Sequence, residues 1–178
     1  PRAVRHMLKK RWLDTLGITR RGFFTVFILL VNTFTWFYIT LLVIDGFLKA
    51  FNLTSTEALA IWVTYYGTVI ASSVVGSVLS SIRRLPFLYA WMILGTVSSL
   101  LPALLNVVLH VWSFALGFSL GIGMPICLAY FADHSTVENR GRMSGIIFIT
   151  FNLSAAFLAI AFNLFDLTVG SVLFAIWR

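Results

Sequence analysis

Apolar residues in this chain occur in long runs that are separated by short polar segments. Five runs have the length of a membrane crossing and contain no Asp, Glu, Lys or Arg: Gly22–Ile44, Ala58–Ile82, Phe87–Leu109, Val111–Ala132 and Met143–Phe165. A sixth run, Leu167–Trp177, is shorter. About 20 apolar residues in a helix cross a hydrocarbon layer of about 30 Å, and a helix satisfies its own backbone groups in lipid. The pattern predicts an all-α, polytopic membrane bundle over 22–178, with five full transmembrane helices and a truncated sixth.

Positive charge alternates between the ends of these runs. Twelve of the 13 basic residues fall on one side of the predicted membrane, and Lys49 alone falls on the other. The twelve are Arg2, Arg5, Lys9, Lys10, Arg11, Arg20, Arg21, Arg83, Arg84, Arg140, Arg142 and Arg178. Loops rich in Lys and Arg stay in the cytoplasm. We therefore predict a multi-pass integral membrane protein, in the cell membrane, with a basic cytoplasmic segment 1–21 and with Lys49 and Asp166 outside.

Composition narrows the classes of function. The formal charge is +7, and 60% of the residues are apolar against 11% charged, far from a soluble average. We interpret the charge as affinity for a bilayer with anionic headgroups at the cytoplasmic face. It does not indicate a nucleic-acid partner, because it is spread over loops with no domain behind it. No P-loop or cofactor motif occurs, so we expect no ATP-driven step, no cofactor and no bound metal.

Polar residues predict where helices begin and turn. Thr54 and Glu57 form a capping box that would start the second helix, and Ser135 and Glu138 form one that would start the fifth. The uncharged stretch 85–132 is too long for one span, so a tight turn is predicted around Pro102, Asn106 and His110. Small residues four apart, such as Ser72 and Gly76 or Gly117 and Gly121, predict faces where helix backbones approach closely.

Two segments resemble a known family. The segment 117–125 (GFSLGIGMP), followed by Asp133, by 138–142 (ENRGR) and by Gly145, resembles the junction of the fourth and fifth helices in the major facilitator superfamily. The family carries a glycine, an aspartate and basic residues in its second-to-third loop. Here Gly76 and the pair Arg83 and Arg84 match that pattern, and Ser80 stands where the family has its aspartate.

The resemblance implies a fold and a function. The chain would be the N-terminal six-helix half of a secondary, non-ATP transporter that moves a small-molecule solute by alternating access. The other half would be a C-terminal part of the same chain, so we expect the protein to be longer than this sequence. Helices one and four would line the cavity, and helices two and five would contact the other half.

Candidate binding residues follow from that expectation. In the first helix, Asn32, Thr35, Trp36 and Thr40 are polar or amphipathic, and three of them share one helical face. In the fifth helix, Asn152 is polar at membrane depth. Structural hydrogen bonds between helices explain a buried Asn as well as substrate contact does.

A cytoplasmic gate is the second expected site. Arg83 or Arg84 would pair with Asp133 or Glu138 when the cytoplasmic side is closed, within a loop cluster that also contains Arg140 and Arg142. No residue of 22–177 is expected to be an obligatory proton carrier, because no Asp, Glu, Lys or Arg lies inside a span.

Two alternatives to transport stay open. One is a non-transporting receptor or assembly subunit on the same fold. The other is a membrane enzyme that would hold a metal with Asp133, His134 and Glu138 at the cytoplasmic face. That spacing matches no catalytic signature, so we expect a protein that is not an enzyme and has no catalytic residues.

Overall fold

The computed structural model describes residues 20–82, 84–104, 109–165 and 167–178. These residues form six helices joined by short connections: α1 (Arg20–Ala50), α2 (Ser55–Ile82), α3 (Arg84–Leu104), α4 (Leu109–Asp133), α5 (Val137–Leu164) and α6 (Leu167–Trp177). The prediction of an all-α helical bundle is confirmed. Most of the basic segment 1–21 lies outside the described residues, as do Arg83, Asn106 and Asp166.

Four helices, α1, α2, α4 and α5, are long and apolar enough to cross a membrane. They make the chain a multi-pass membrane protein. Within the described residues, the apolar part of α3 is shorter, at Pro86–Leu101. The predicted third span extended to Leu109, but Leu109 already belongs to α4, and α3 is described as far as Leu104. Five full spans are therefore not confirmed.

The start of α2 has the predicted capping box. The Thr54 backbone N–H donates to Glu57 Oε2 at 2.9 Å, and the Glu57 backbone N–H donates to Thr54 Oγ1 at 3.4 Å. These bonds satisfy backbone donors that a helix leaves free at its first turn. The preceding Asn52 has φ 48°, a left-handed conformation that Asn adopts more readily than most residues.

The start of α5 differs from the prediction by one residue. Thr136, not Ser135, is the N-cap, and its backbone N–H donates to Asn139 Oδ1 at 2.8 Å. The Ser135 hydroxyl donates instead to the Phe131 carbonyl at 2.7 Å, at the end of α4. Because Ser135 completes the preceding helix, the cap of α5 moves to the next hydroxyl residue.

The helix contacts arrange the bundle as a row of four helices and a pair behind it. In the row, α2 packs on α4, α4 on α1, and α1 on α5. The pair is α3 and α6, which pack on each other. Helix α3 also contacts α4 and α2, while α6 contacts α1 and α5. Each member of the pair therefore contacts one inner helix of the row, α4 or α1, and one outer helix, α2 or α5.

These contacts are symmetric between the two halves of the chain. If α1 is exchanged with α4, α2 with α5 and α3 with α6, each principal helix contact becomes a contact that is also present, and the contacts of α1 with α4 and of α3 with α6 are unchanged. For example, the contact of α2 with α4 becomes the contact of α5 with α1. Since short connections reverse the chain direction at each step, helices three apart run in opposite directions. The described helices thus have the neighbour relations of an inverted repeat of three plus three helices.

The small-residue faces lie where α2 meets α4, the most extensive helix contact. Ser72 and Gly76 are buried on α2, and Gly117 and Gly121 are buried on α4. A Cβ atom added at Gly117 would lie 2.6 Å from the Tyr65 carbonyl oxygen. The two backbones are therefore too close for a larger side chain, as the four-residue spacing predicted.

Candidate functional site

Two cavities lie along the seam between α1 and α5. The first has a volume of about 320 Å³ and is beside the N-terminal half of α1; the second, of about 390 Å³, is beside its C-terminal half. The first is lined by Leu30, Phe34, Leu128, Phe131, Ser144, Ile147, Phe148 and Phe151. The second is lined by Leu42, Val43, Asp45, Gly46, Lys49, Ala159, Phe162 and Phe165. The seam is thus hollow at both ends.

Aromatic rings fill the seam between these cavities. The Phe151 ring centroid lies 5.9 Å from that of Phe34, 6.3 Å from that of Tyr38 and 5.7 Å from that of Phe148. Along α1, Phe34 and Tyr38 lie between Leu30 of the first cavity and Leu42 of the second. These four rings, here called the aromatic layer, separate the two cavities with apolar surface.

Sequence reasoning missed the aromatic layer because it looked for polar residues. The signal was present, since Phe34 and Tyr38 are four residues apart on α1 and Phe148 and Phe151 are three apart on α5. Both spacings place two rings on one helix face. Nothing in the sequence showed that α1 and α5 would turn these faces toward each other.

The structure places Asn32 and Trp36 on the other side of α1, toward the pair of helices behind the row. The Asn32 amide donates to the Trp177 carbonyl at 2.9 Å. The Trp36 indole donates to Ser99 Oγ at 2.8 Å and stacks on Phe174, with ring centroids 5.5 Å apart. Both side chains therefore join helices, which is the structural alternative considered for a buried Asn.

The remaining predicted binding residues divide between the core and the surface. The Thr40 hydroxyl donates to the Trp36 carbonyl at 2.8 Å. Thr35 is fully buried, and its hydroxyl has no partner among the described residues. Asn152 is exposed, and its amide donates to the Phe148 carbonyl of its own helix at 2.7 Å. The described contacts thus gather the four α1 residues in the core but do not join Asn152 to them.

Of the two loops that would form the predicted gate, the structure describes the side chains of only one, the loop between α4 and α5. Arg83 and the side chain of Arg84 lie outside the described residues, so their pairing with Asp133 or Glu138 stays a prediction. Arg140 is engaged locally: its Nε donates to Ser135 Oγ at 3.1 Å and its Nη2 to the Ala132 carbonyl at 3.5 Å. These bonds tie the start of α5 to the end of α4.

Asp133, Glu138 and Arg142 are exposed around that junction. Glu138 precedes the apolar run of α5. Hydrogen bonds from its own backbone N–H and from the Thr136 hydroxyl hold the pKa of its carboxyl below the usual range.

The described residues contain no group of three His, Cys, Asp or Glu side chains placed to hold a metal ion. His134 packs its ring on Tyr130, with centroids 4.2 Å apart, and its Nδ1 lies 2.9 Å from the Tyr130 carbonyl oxygen. The metal-dependent enzyme with Asp133, His134 and Glu138 therefore gains no support from this geometry.

The position of Arg178 corrects the sequence prediction, which placed it at the cytoplasmic end of the sixth helix. Its guanidinium carbon lies 4.7 Å from the ring centroid of Trp36 and 3.9 Å from that of Trp91. Trp36 is near the middle of α1, so Arg178 lies near the middle of the bundle.

Comparison with known proteins gives no match: no family model, no curated protein and no solved structure matches this chain. Function is therefore inferred from the geometry described above.

Proposed function

We propose that this chain is the N-terminal half of a secondary, non-ATP solute transporter of the major facilitator type, which moves a small-molecule solute by alternating access. One observation carries the proposal. Cavities of about 320 and 390 Å³ lie at opposite ends of the α1–α5 seam and are separated by the aromatic layer. A transporter of this kind needs a path that can be entered from either side but is never open to both.

The chemistry of the aromatic layer suits a barrier. Its rings contact one another edge-on or tilted, with interplanar angles of 50° for Phe34 with Phe151 and 74° for Tyr38 with Phe151. Such pairs contribute about 0.5–1.5 kcal/mol each beyond the burial of their area. Because each such contact is weak, a movement that separates α1 from α5 would open the layer.

The inverted symmetry of the helix contacts also supports the proposal. Repeats of three plus three inverted helices occur within each six-helix half of major facilitator transporters. In the described helices, the contact of α2 with α4 and that of α1 with α5 are related by this exchange. The second of them is the seam that contains the cavities.

Further parts of the proposal rest on the sequence. The basic asymmetry supports a cytoplasmic N-terminus in the cell membrane, next to anionic headgroups. The loop charges Arg83, Arg84, Asp133 and Glu138 would form the cytoplasmic gate. A C-terminal half of the same chain would cover the row of helices α2, α4, α1 and α5.

Solute flux tests this function and separates it from a receptor, an assembly subunit or an enzyme. Proteoliposomes containing the full-length protein would be incubated with a small-molecule filtrate of cell extract, and the accumulated solutes would be measured by mass spectrometry. We expect at least one solute to enter unchanged and saturably, at a rate above that of empty liposomes. Conversion of a solute would favour the enzyme, and entry of none would contradict transport.

Replacing one ring of the barrier sharpens that test. We expect Phe151→Ala to make entry leaky, with loss of saturation, because it removes the ring that contacts Phe34, Tyr38 and Phe148. Phe157→Ala is the matched control, since Phe157 is exposed on the same helix and lines neither cavity. Equal kinetics in both variants would show that the aromatic layer is not the barrier.

A further inference from the structure

The wall of the first cavity, the one of about 320 Å³, is almost entirely apolar. It is built by α1, α4 and α5, and four of its eight described residues are phenylalanines: Phe34, Phe131, Phe148 and Phe151. Among those eight residues, Ser144 has the one polar side chain. Ligand pockets usually combine apolar surface with a few polar groups that fix orientation. This wall offers a solute the surface of four aromatic rings and a single hydroxyl group.

Charged side chains lie apart from this wall. In the described parts of α1, α4 and α5, every Asp, Glu, Lys and Arg is within the first or last six residues of its helix, and none of them lines the first cavity. Asp45 and Lys49, which line the second cavity, pair with each other at 2.6 Å. A charged solute in the first cavity would thus lose its hydration without gaining an ion-pair partner from this wall.

Two polar side chains on the same stretch of α5 donate to their own helix. The Thr150 hydroxyl donates to the Ile146 carbonyl at 2.9 Å, and the Asn152 amide donates to the Phe148 carbonyl at 2.7 Å. Bonds within one helix leave fewer donors for an anion or for a carbonyl group of a solute. Aromatic contact is therefore the main interaction that this part of the seam provides.

The rings of the aromatic layer meet edge to face. The Phe151 ring is inclined by 74° to that of Tyr38 and by 63° to that of Phe148. In such contacts the positive edge of one ring lies against the negative face of another. A neutral aromatic solute has both an edge and a face, so it can replace either ring of a pair. An organic cation is attracted by ring faces alone, and this wall offers it no carboxylate.

We propose that the solute of the α1–α5 seam is a small, uncharged molecule with an aromatic body. It would lie in the first cavity against Phe34, Phe148 and Phe151, with Ser144 beside its polar atom. A cavity of about 320 Å³ is near the lower end of the usual range for ligand sites, about 300–1,000 Å³, and suits about one to three rings. The inference rests on the proposed function, because it names the class of solute for that same path. A covering half of the protein would lie opposite this wall and would not alter its chemistry.

Binding of radiolabelled indole, compared with its charged analogues, tests the proposal. The full-length protein would be placed in phosphatidylcholine nanodiscs, and empty nanodiscs would measure partition into lipid. Indole is uncharged, indole-3-acetate is an anion and tryptamine is a cation at neutral pH, and all three share one ring system. We expect saturable indole binding, with competition by unlabelled indole at least tenfold stronger than by either charged analogue. Absence of saturable binding, or equal competition by a charged analogue, would overturn the proposal, and neither result depends on a variant that must fold.

A new charge in the wall locates the site. Ser144→Lys would place an ammonium group at the cavity, so indole-3-acetate should gain at least tenfold in competition relative to indole. Ser144→Glu should favour tryptamine in the same way. Gly145→Lys is the matched control, since Gly145 is the next residue of α5, is exposed and lines neither cavity of the seam. An unchanged order of competition in Ser144→Lys, or the same change in Gly145→Lys, would place indole outside this cavity and overturn the assignment.

Solute flux separates this inference from the proposed function. In the proteoliposome assay, entry of charged solutes alone would leave transport standing and would remove the uncharged aromatic class. Saturable indole binding without entry of any solute would do the reverse, because the cavity would stand as a site for uncharged aromatic molecules and the proposed transport would fall. Saturable entry of an uncharged aromatic solute, in competition with indole, would support both.

Discussion

The indole of Trp36 joins three helices. It donates to Ser99 on α3, stacks on Phe174 of α6 and belongs to α1. The residue is completely buried, as is Ser99. A buried polar group that loses its partner costs about 1–3 kcal/mol, more than the hydrogen bond contributes on balance. Trp36 is therefore expected to determine how firmly α1 holds the pair of helices behind it.

A double-mutant cycle tests that role. Trp36→Phe and Ser99→Ala should each lower the free energy of unfolding in detergent, and the double variant should lose less than the sum of the two. We expect a coupling of about 0.6 kcal/mol, the average for hydrogen bonds between membrane helices. Additive losses would show that the 2.8 Å contact contributes nothing to stability.

The effect of adding a side chain can be compared between a glycine in the α2–α4 contact and a glycine with free space around it. A Cβ added at Gly121 would overlap the Ser72 hydroxyl and the Val69 carbonyl oxygen, whereas one added at Gly67 would meet nothing within 4 Å. Gly121→Ala should therefore destabilise the protein by about 1–3 kcal/mol, as overpacking does. Gly67→Ala should be neutral or stabilising, because alanine favours a helix by up to about 1 kcal/mol. Thermal unfolding of both variants checks this, and equal midpoints would contradict a close contact there.

The helices themselves were largely predictable, because uncharged runs of membrane length leave the backbone few alternatives. Their ends were less predictable. Apolar residues continue from α3 into α4, so composition alone could not show that Leu109 belongs to α4 and not to the third helix. At the start of α5, two neighbouring hydroxyl residues could each act as the cap, and only the end of α4 decides between Ser135 and Thr136.

The cap of α5 gives a test at this level. Thr136→Ala should cost about 1 kcal/mol of stability, the usual loss for an N-cap hydroxyl. Asn139→Ala should also destabilise, because its side chain accepts from the Thr136 N–H. Val137→Ala is the control within the same turn, since Val137 is exposed. A loss in the control as large as that in Thr136→Ala would place the helix start elsewhere.

The neighbour relations of the helices could not be read from the chain, because every helix has an apolar face that could pack on several others. Asn32 and Trp36 illustrate the consequence: their shared face was predictable, but the helices that this face meets, α3 and α6, were not. The cavities required the packed arrangement of α1 and α5.

The most direct test of the proposed transport path is the accessibility of its two cavities. In a full-length Cys127→Ser protein, single cysteines would replace Ser144 of the first cavity and Gly46 of the second, where an added side chain meets nothing within 4 Å. A membrane-impermeant maleimide would then be added from one side of the membrane at a time. We predict that Ser144→Cys reacts only from the cytoplasmic side and Gly46→Cys only from the outside, and that adding Phe151→Ala lets each react from both. Reaction of both cysteines from the same side, or patterns unchanged by Phe151→Ala, would contradict a path gated by the aromatic layer.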